Sequence, residues 1–194
     1  MDFSLIIDNI NKHISLNSEE QDYFTSLLEV QQVKRRAFLV RKGEIARYTY
    51  FITKGCLRNY EIDREGTIHI GLFAVEDWWI SDLQSFLTQT PSFGFVDAIE
   101  ETEVMRLSKS NYESLFEKVP QFERFFRIIH QNAFIALKNR LIDNLSLTAE
   151  GRYLNFIDKY PQFNQRIPQK QIAAYLGITP EFLSMLRSRM ARRS

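Results

Sequence analysis

The sequence predicts an α+β protein: an antiparallel β-sandwich or barrel, then a long helix, then a compact two-helix motif. Three stretches carry this reading. Residues 33–73, "VKRRAFLVRKGEIARYTYFITKGCLRNYEIDREGTIHIGLF", lack a helical period, are rich in Ile, Phe, Tyr and Thr, and are punctuated by Gly43, Gly55 and Gly66. Short runs of that kind with a turn signal about every ten residues indicate antiparallel strands. Residues 120–146, "PQFERFFRIIHQNAFIALKNRLIDNLS", repeat apolar side chains at three and four and read as one helix of about seven turns. Residues 172–190, "IAAYLGITPEFLSMLRSRM", are two helical stretches hinged on a glycine.

The elements follow in order. "FSLIIDNINKHISLNSEEQDYFTSLLEV" gives two short amphipathic helices, the second capped by Asn17 or Ser18, with Glu19, Glu20 and Asp22 favourable in its first turn. "REG" around Gly66 is a hairpin turn, because glycine accepts positive φ without a Cβ clash. Ser81 to Leu87 allows one or two helical turns, Pro91 and Gly94 punctuate, and "FVDAIEETEVMRLS" returns to strand. "SKSNYESLFEKV" is helical up to Pro120, which suits the first turn of the long helix. In that helix Phe122, Phe126, Ile129, Ala133, Ala136 or Leu137, and Arg140 or Leu141 approximate a pairing seam, with one face on the barrel and another on a second copy. "TAEGRYLNFIDKYPQF" is a further helix, opened by Thr148 and closed before Pro161. The domain boundary falls near Asn144, giving residues 1–143 and 144–194.

Composition narrows the function. With 44% hydrophobic and 25% charged residues in 194, the chain can bury a sizeable core. Its net charge of +1 conceals a segregation: residues 166–194 hold six basic side chains against Glu181 alone, and the rest of the chain is net −4. A basic end on a neutral-to-acidic body suits a polyanion partner. The single cysteine, Cys56, excludes an internal disulfide and a four-cysteine cluster, and is expected as a small apolar residue in a strand. His13, His69 and His130 are scattered, which argues for structural roles, and no metal site is expected. There is no nucleophile elbow, phosphate loop or helical metal-ligand pair, so an enzyme is not expected. Neither a long apolar run nor a signal-peptide pattern at "MDFSLIIDNINKH" is present, so the expected location is the cytoplasm, with no membrane partner.

Numbered from Gln169, the C-terminal motif has Ala173 fifth, Gly177 ninth, Leu183 fifteenth and Leu186 eighteenth. The small alanine lets two helices approach, and the glycine allows a left-handed turn between them. Ile172, Leu176, Ile178, Leu183 and Leu186 close a miniature core, Thr179 caps the second helix and Pro180 fits its first position. This is the spacing of a helix-turn-helix.

A glycine-punctuated barrel, a long helix and this motif together resemble the Crp/Fnr family of bacterial transcription regulators. "KGCLRNYEIDREGTIHIGLF", "GRYLNFIDKYPQF" and "QIAAYLGITPEFLSMLR" carry the resemblance, which spans nearly the full length. It implies a jelly-roll sensor domain of the cyclic-nucleotide-binding type, a dimerisation helix from Gln121 to Asn144 and a winged-helix-like reader of double-stranded DNA. The implied partners are DNA, a second copy of the chain and RNA polymerase. A small-molecule effector of the barrel is also implied, though no cofactor is fixed by the sequence, and haem, which some relatives use, has only the scattered histidines to offer.

The chain departs from the family at both sites. Where cyclic-nucleotide binders place a Gly-Glu pair and a phosphate-holding arginine, this chain aligns Ser81, Asp82 and Ser92. Between Glu65 and Met105 there are eight acids and no lysine or arginine. A buried phosphate needs charge-assisted donors, so cyclic AMP is not expected. The cassette positions carried over are Ser81, Asp82, Ser92, Phe93, Leu137 and Lys138. Phe73, Trp78, Trp79, Phe86, Phe93 and Phe95 are expected to fill the barrel, or else to line an apolar effector pocket. In the DNA reader, Met185 stands where relatives usually carry arginine and Phe182 where they carry threonine. "NQRIPQ" leaves little room for a wing. Thr179, Pro180, Glu181, Ser184, Met185 and Ser188 are expected near bases, and Lys170, Arg187, Arg189, Arg192 and Arg193 on phosphates. The alternative is a sensor or protein-interaction barrel whose DNA-binding end has decayed.

Overall fold

The computed structural model describes residues 2–191 and forms two compact units, residues 1–61 with 72–131, and residues 62–71 with 132–194. Arg192 and Arg193 lie outside the described residues.

The first unit opens with α1 (Ser4–Asn11) and α2 (Ser18–Ser26). Asn17 caps α2 by accepting from the Glu20 N–H at 2.9 Å, while Glu20 returns a carboxylate to the Asn17 N–H, a reciprocal capping box. Eight strands follow: β1 (Glu29–Val33), β2 (Phe38–Val40), β3 (Tyr48–Lys54), β4 (Leu57–Ile62), β5 (Ile68–Ala74), β6 (Trp79–Ile80), β7 (Phe95–Ala98) and β8 (Thr102–Ser108). They form two four-stranded sheets, ordered β1-β8-β3-β6 and β2-β7-β4-β5, the layered arrangement of a jelly roll. The core between and beneath the sheets holds Tyr50, Ile52, Leu57, Val96, Val104 and Phe86. Phe51 packs on Trp79, whose ring meets Phe125 and Phe126 of the long helix.

Close approaches fix the strand connections. Gly55 has φ +101°, and a Cβ there would sit 2.6 Å from the Glu101 carbonyl oxygen, so only glycine fits this turn. The turn before β6 is held by α1: Asn9 donates to the Asp77 carbonyl at 3.0 Å and carboxylate at 2.9 Å, accepts from Trp79 Nε1 at 3.2 Å, and Lys12 pairs with Asp77. Cys56 lies in the β3–β4 turn rather than within a strand, and is fully buried.

The helix α3 (Leu83–Thr88) lies between β6 and β7, and α4 (Lys109–Lys118) and α5 (Gln121–Ser146) follow the strands. Pro120 stands just before α5, one position outside the expected first turn. Phe122, Phe125 and Phe126 of α5 are buried in the first unit. Further along, Phe134, Ile135, Leu137, Leu141, Ile142 and Leu145 are exposed. The expected seam is therefore split, its first half spent on the barrel core. Arg140 is not part of it: its guanidinium donates to the carbonyls of Gly71 (2.6 Å) and Ile70 (3.0 Å) and lies 4.3 Å from the Tyr175 ring centroid.

The remainder of the second unit is helical: α6 (Ala149–Lys159), α7 (Phe163–Arg166), α8 (Gln169–Leu176) and α9 (Pro180–Ala191). Tyr153, Phe156, Phe163, Ile167, Ile172, Leu176, Leu183 and Leu186 are among its buried side chains. The stretch "NQRIPQ" carries the end of α7 and the lead into α8, and no strand follows β8 among the described residues.

Candidate functional site

Two places carry the residues singled out by the sequence. The first is the hairpin of α8 and α9. Gly177 ends α8 at φ 66°, its N–H and that of Ile178 both reaching the Ala173 carbonyl. An L side chain in this left-handed conformation costs roughly 1–2 kcal/mol, which is why glycine stands here. Ala173 is fully buried where α8 and α9 meet, so its small side chain sets how closely they approach. Thr179 accepts from the Phe182 N–H at 3.2 Å and starts α9, with Pro180 at the first helical position.

Because Leu183 and Leu186 turn inward, α9 presents Glu181, Phe182, Ser184, Met185, Ser188 and Arg189 outward. Phe182 and Met185 are each 38% exposed. Ser188 spends its hydroxyl donor on the Ser184 carbonyl at 3.0 Å. Lys170 and Arg189 are exposed and Arg187 half-buried. The expected base-facing residues thus share one exposed face with Phe182 added. Phe182 sits one turn before Met185 and off the inward Leu183–Leu186 line, a helical-wheel signal that was available in the sequence.

The hairpin is seated by two arginines, Arg152, which the sequence does not single out, and Arg140, which the spacing puts on the pairing seam. Arg152 donates to the Leu147 carbonyl at 3.0 Å and to the Leu176 carbonyl at 3.2 Å, joining the start of α6 to the end of α8. Arg140 faces the Tyr175 ring of α8. Burial raises the Tyr175 phenol above its ordinary range, with Arg140 acting against it, so Tyr175 stays neutral. These contacts join residues far apart in the chain, which is why no local pattern reveals them.

The second place is the barrel cassette. Asp82 caps α3, accepting from the Ser85 N–H at 3.0 Å. The Ser92 hydroxyl, buried, bonds the other Asp82 oxygen and lies 3.0 Å from the Gly94 carbonyl. Ser81 donates to the Tyr48 carbonyl at 3.0 Å. Asp82 and Ser92 are therefore brought together and satisfy each other, while Ser81 is spent on the backbone of β3. Phe93 is 63% exposed and fills no part of the barrel, because the chain crosses the surface between Pro91 and Gly94 to enter β7. Phe73 and Phe86 are fully buried, Trp78 and Trp79 pack partly buried on the core, and Phe95 stacks on Tyr60 at 5.1 Å. Leu137 and Lys138 belong to the second unit and are exposed. Among the described residues no cluster of histidine, cysteine and carboxylates is arranged to hold a metal, and no helix is long and apolar enough to cross a membrane.

Comparison with known proteins bears on both places. FixK2 of Bradyrhizobium japonicum superposes with a TM-score of 0.75 at 18% identity, over 86% of this chain and 85% of that one. The c-di-GMP-responsive global regulator CLP of Xanthomonas campestris gives 0.74 at 11%, over 91% and 93%. A structure described as a Crp/Fnr-family transcriptional regulator of Eubacterium rectale gives 0.71 at 12%, over 92% and 85%. No curated protein sequence matches the chain. Residues 30–119 match the cyclic nucleotide-binding domain family, and the chain as a whole has the fold of the Crp/Fnr regulators.

Proposed function

We propose that this protein is a homodimeric, DNA-binding transcription regulator of the Crp/Fnr type, whose barrel does not take cyclic AMP. The observation that carries the reading is α9: a capped helix, seated by a buried core on α8, with its outer face exposed and cations beside it. A helix of that kind fits the major groove, with Thr179, Pro180, Glu181, Ser184, Met185 and Ser188 toward bases and Lys170, Arg187 and Arg189 toward phosphates. Arg192 and Arg193 extend the basic run in sequence. Residues 144–194 then form the DNA-binding domain.

The barrel argument is electrostatic. A cyclic phosphate in the cassette meets the Asp82 carboxylate, and residues 65–105 supply no lysine or arginine to offset it. Leaving a phosphate unpaired at low dielectric costs several kcal/mol. Calorimetry with cyclic AMP and cyclic GMP is expected to show no binding at micromolar concentrations.

Fluorescence anisotropy of a labelled duplex against salt tests the DNA reading. A dimer making roughly six to ten phosphate contacts loses about 0.9 log unit of affinity per contact for each log unit of salt. A slope near zero, or no binding at low salt, supports instead a barrel that acts through an effector or a protein partner.

A further inference from the structure

Resting on the DNA-binding reading, we infer that α9 reads the pyrimidine edge of its operator, chiefly thymine methyls, through the exposed pair Phe182 and Met185. In the major groove, guanine offers acceptors at N7 and O6, and adenine an acceptor at N7 with a donor at N6. Thymine offers its C5 methyl and cytosine its N4 amino donor. The outward face from Thr179 to Met185 is poorly equipped for guanine. It has no lysine or arginine, its donors are only the hydroxyls of Thr179, whose oxygen accepts from the Phe182 N–H, and Ser184, and farther along the Ser188 hydroxyl donates to the Ser184 carbonyl. Its resources match pyrimidines instead. Phe182 and Met185 lie three residues apart on one exposed face, each with 38% of its surface accessible although both side chains are apolar. Glu181, exposed beside them in the first turn, is an acceptor suited to cytosine N4.

Charge identifies the occupant. An apolar pair flanked by Lys170, Arg187 and Arg189, at the end of the chain that carries net +5 from residue 166 onward, faces a polyanion bearing apolar methyls. Burying one methyl-sized group contributes about 0.8 kcal/mol, or about fourfold in affinity. Two methyls per half-site give roughly tenfold or more.

The test uses full-length protein and the duplex it enriches from a random pool, with each thymine of a half-site replaced in turn by deoxyuridine, which removes only the methyl. One or two positions per half-site should weaken binding about fourfold each, and Met185→Ala or Phe182→Ala should abolish the penalty at its own position while leaving the salt slope unchanged. Circular dichroism of the variants verifies that the helices persist. Salt-dependent binding with no deoxyuridine penalty at any position overturns the methyl reading and leaves the DNA reading intact. An enriched motif whose discrimination rests on guanine also overturns it. No binding to any duplex overturns both.

Discussion

Asp97 shows how one residue ties the barrel together. On β7 it sits directly opposite Arg58 of β4, and the two form a bidentate pair at 2.7 and 2.9 Å with side chains 6% and 15% exposed. Burial works against the Arg58 charge, yet the carboxylate outweighs it and holds the guanidinium above its ordinary range. The same guanidinium lies 4.2 Å over the Tyr60 ring, whose phenol is raised first by burial and then by Asp97. Removing one partner of a buried pair strands the other, at a cost of about 3–5 kcal/mol. Asp97→Ala should lower the urea midpoint by an amount corresponding to that loss; a loss below about 1 kcal/mol contradicts the role given to the pair. At this scale the sequence was unevenly legible. Cap residues announced themselves because their chemistry is local: Asn17 and Thr148 start α2 and α6 as expected. The Arg58–Asp97 pair did not, since 39 positions separate its members.

Among the elements, α5 does the most varied work. Its first two turns bury Phe122, Phe125 and Phe126 against the barrel, and Phe122 stacks on Phe24 of α2 at 4.8 Å. Its later turns expose Phe134, Leu137, Leu141 and Leu145, spaced by three, four and four residues as in a two-helix seam. Each such side chain contributes about 1.5–3 kcal/mol when fully buried. Leu141→Asp should therefore shift the protein from dimer to monomer in sedimentation equilibrium and weaken binding to a palindromic duplex; an unchanged mass would place the dimer contact elsewhere. Periodicity revealed that α5 exists and how long it is, but not which turns face which neighbour. Arg140 fell on the expected seam by spacing, and its true partners, the Ile70 and Gly71 carbonyls and Tyr175, lie 70 and 35 positions away from it at their furthest and nearest. The helix α7 escaped notice because a four-residue helix has too little periodicity to register.

For the whole molecule, charge and fold point the same way. A net −4 body and a net +5 end place the cationic surface with the helical hairpin, so long-range attraction to a polyanion delivers that end first. The barrel is a two-sheet jelly roll in which Asp82 caps α3 and takes the Ser92 hydroxyl on its other oxygen. The fold was legible because glycine spacing and helix period are set by backbone geometry. The outer surface of α9 was less so, because it depends on which side chains remain outside once Leu183 and Leu186 are buried. The most direct test of the central claim is selection of bound sequences from a random duplex pool at two salt concentrations, with the wild type and with Met185→Arg. The regulator reading predicts that the wild type enriches a palindrome and that Met185→Arg enriches one with guanine at an altered position. A wild type that enriches nothing at either salt, while Met185→Arg enriches a motif, would show a DNA-binding scaffold without a reader and contradict the proposed function.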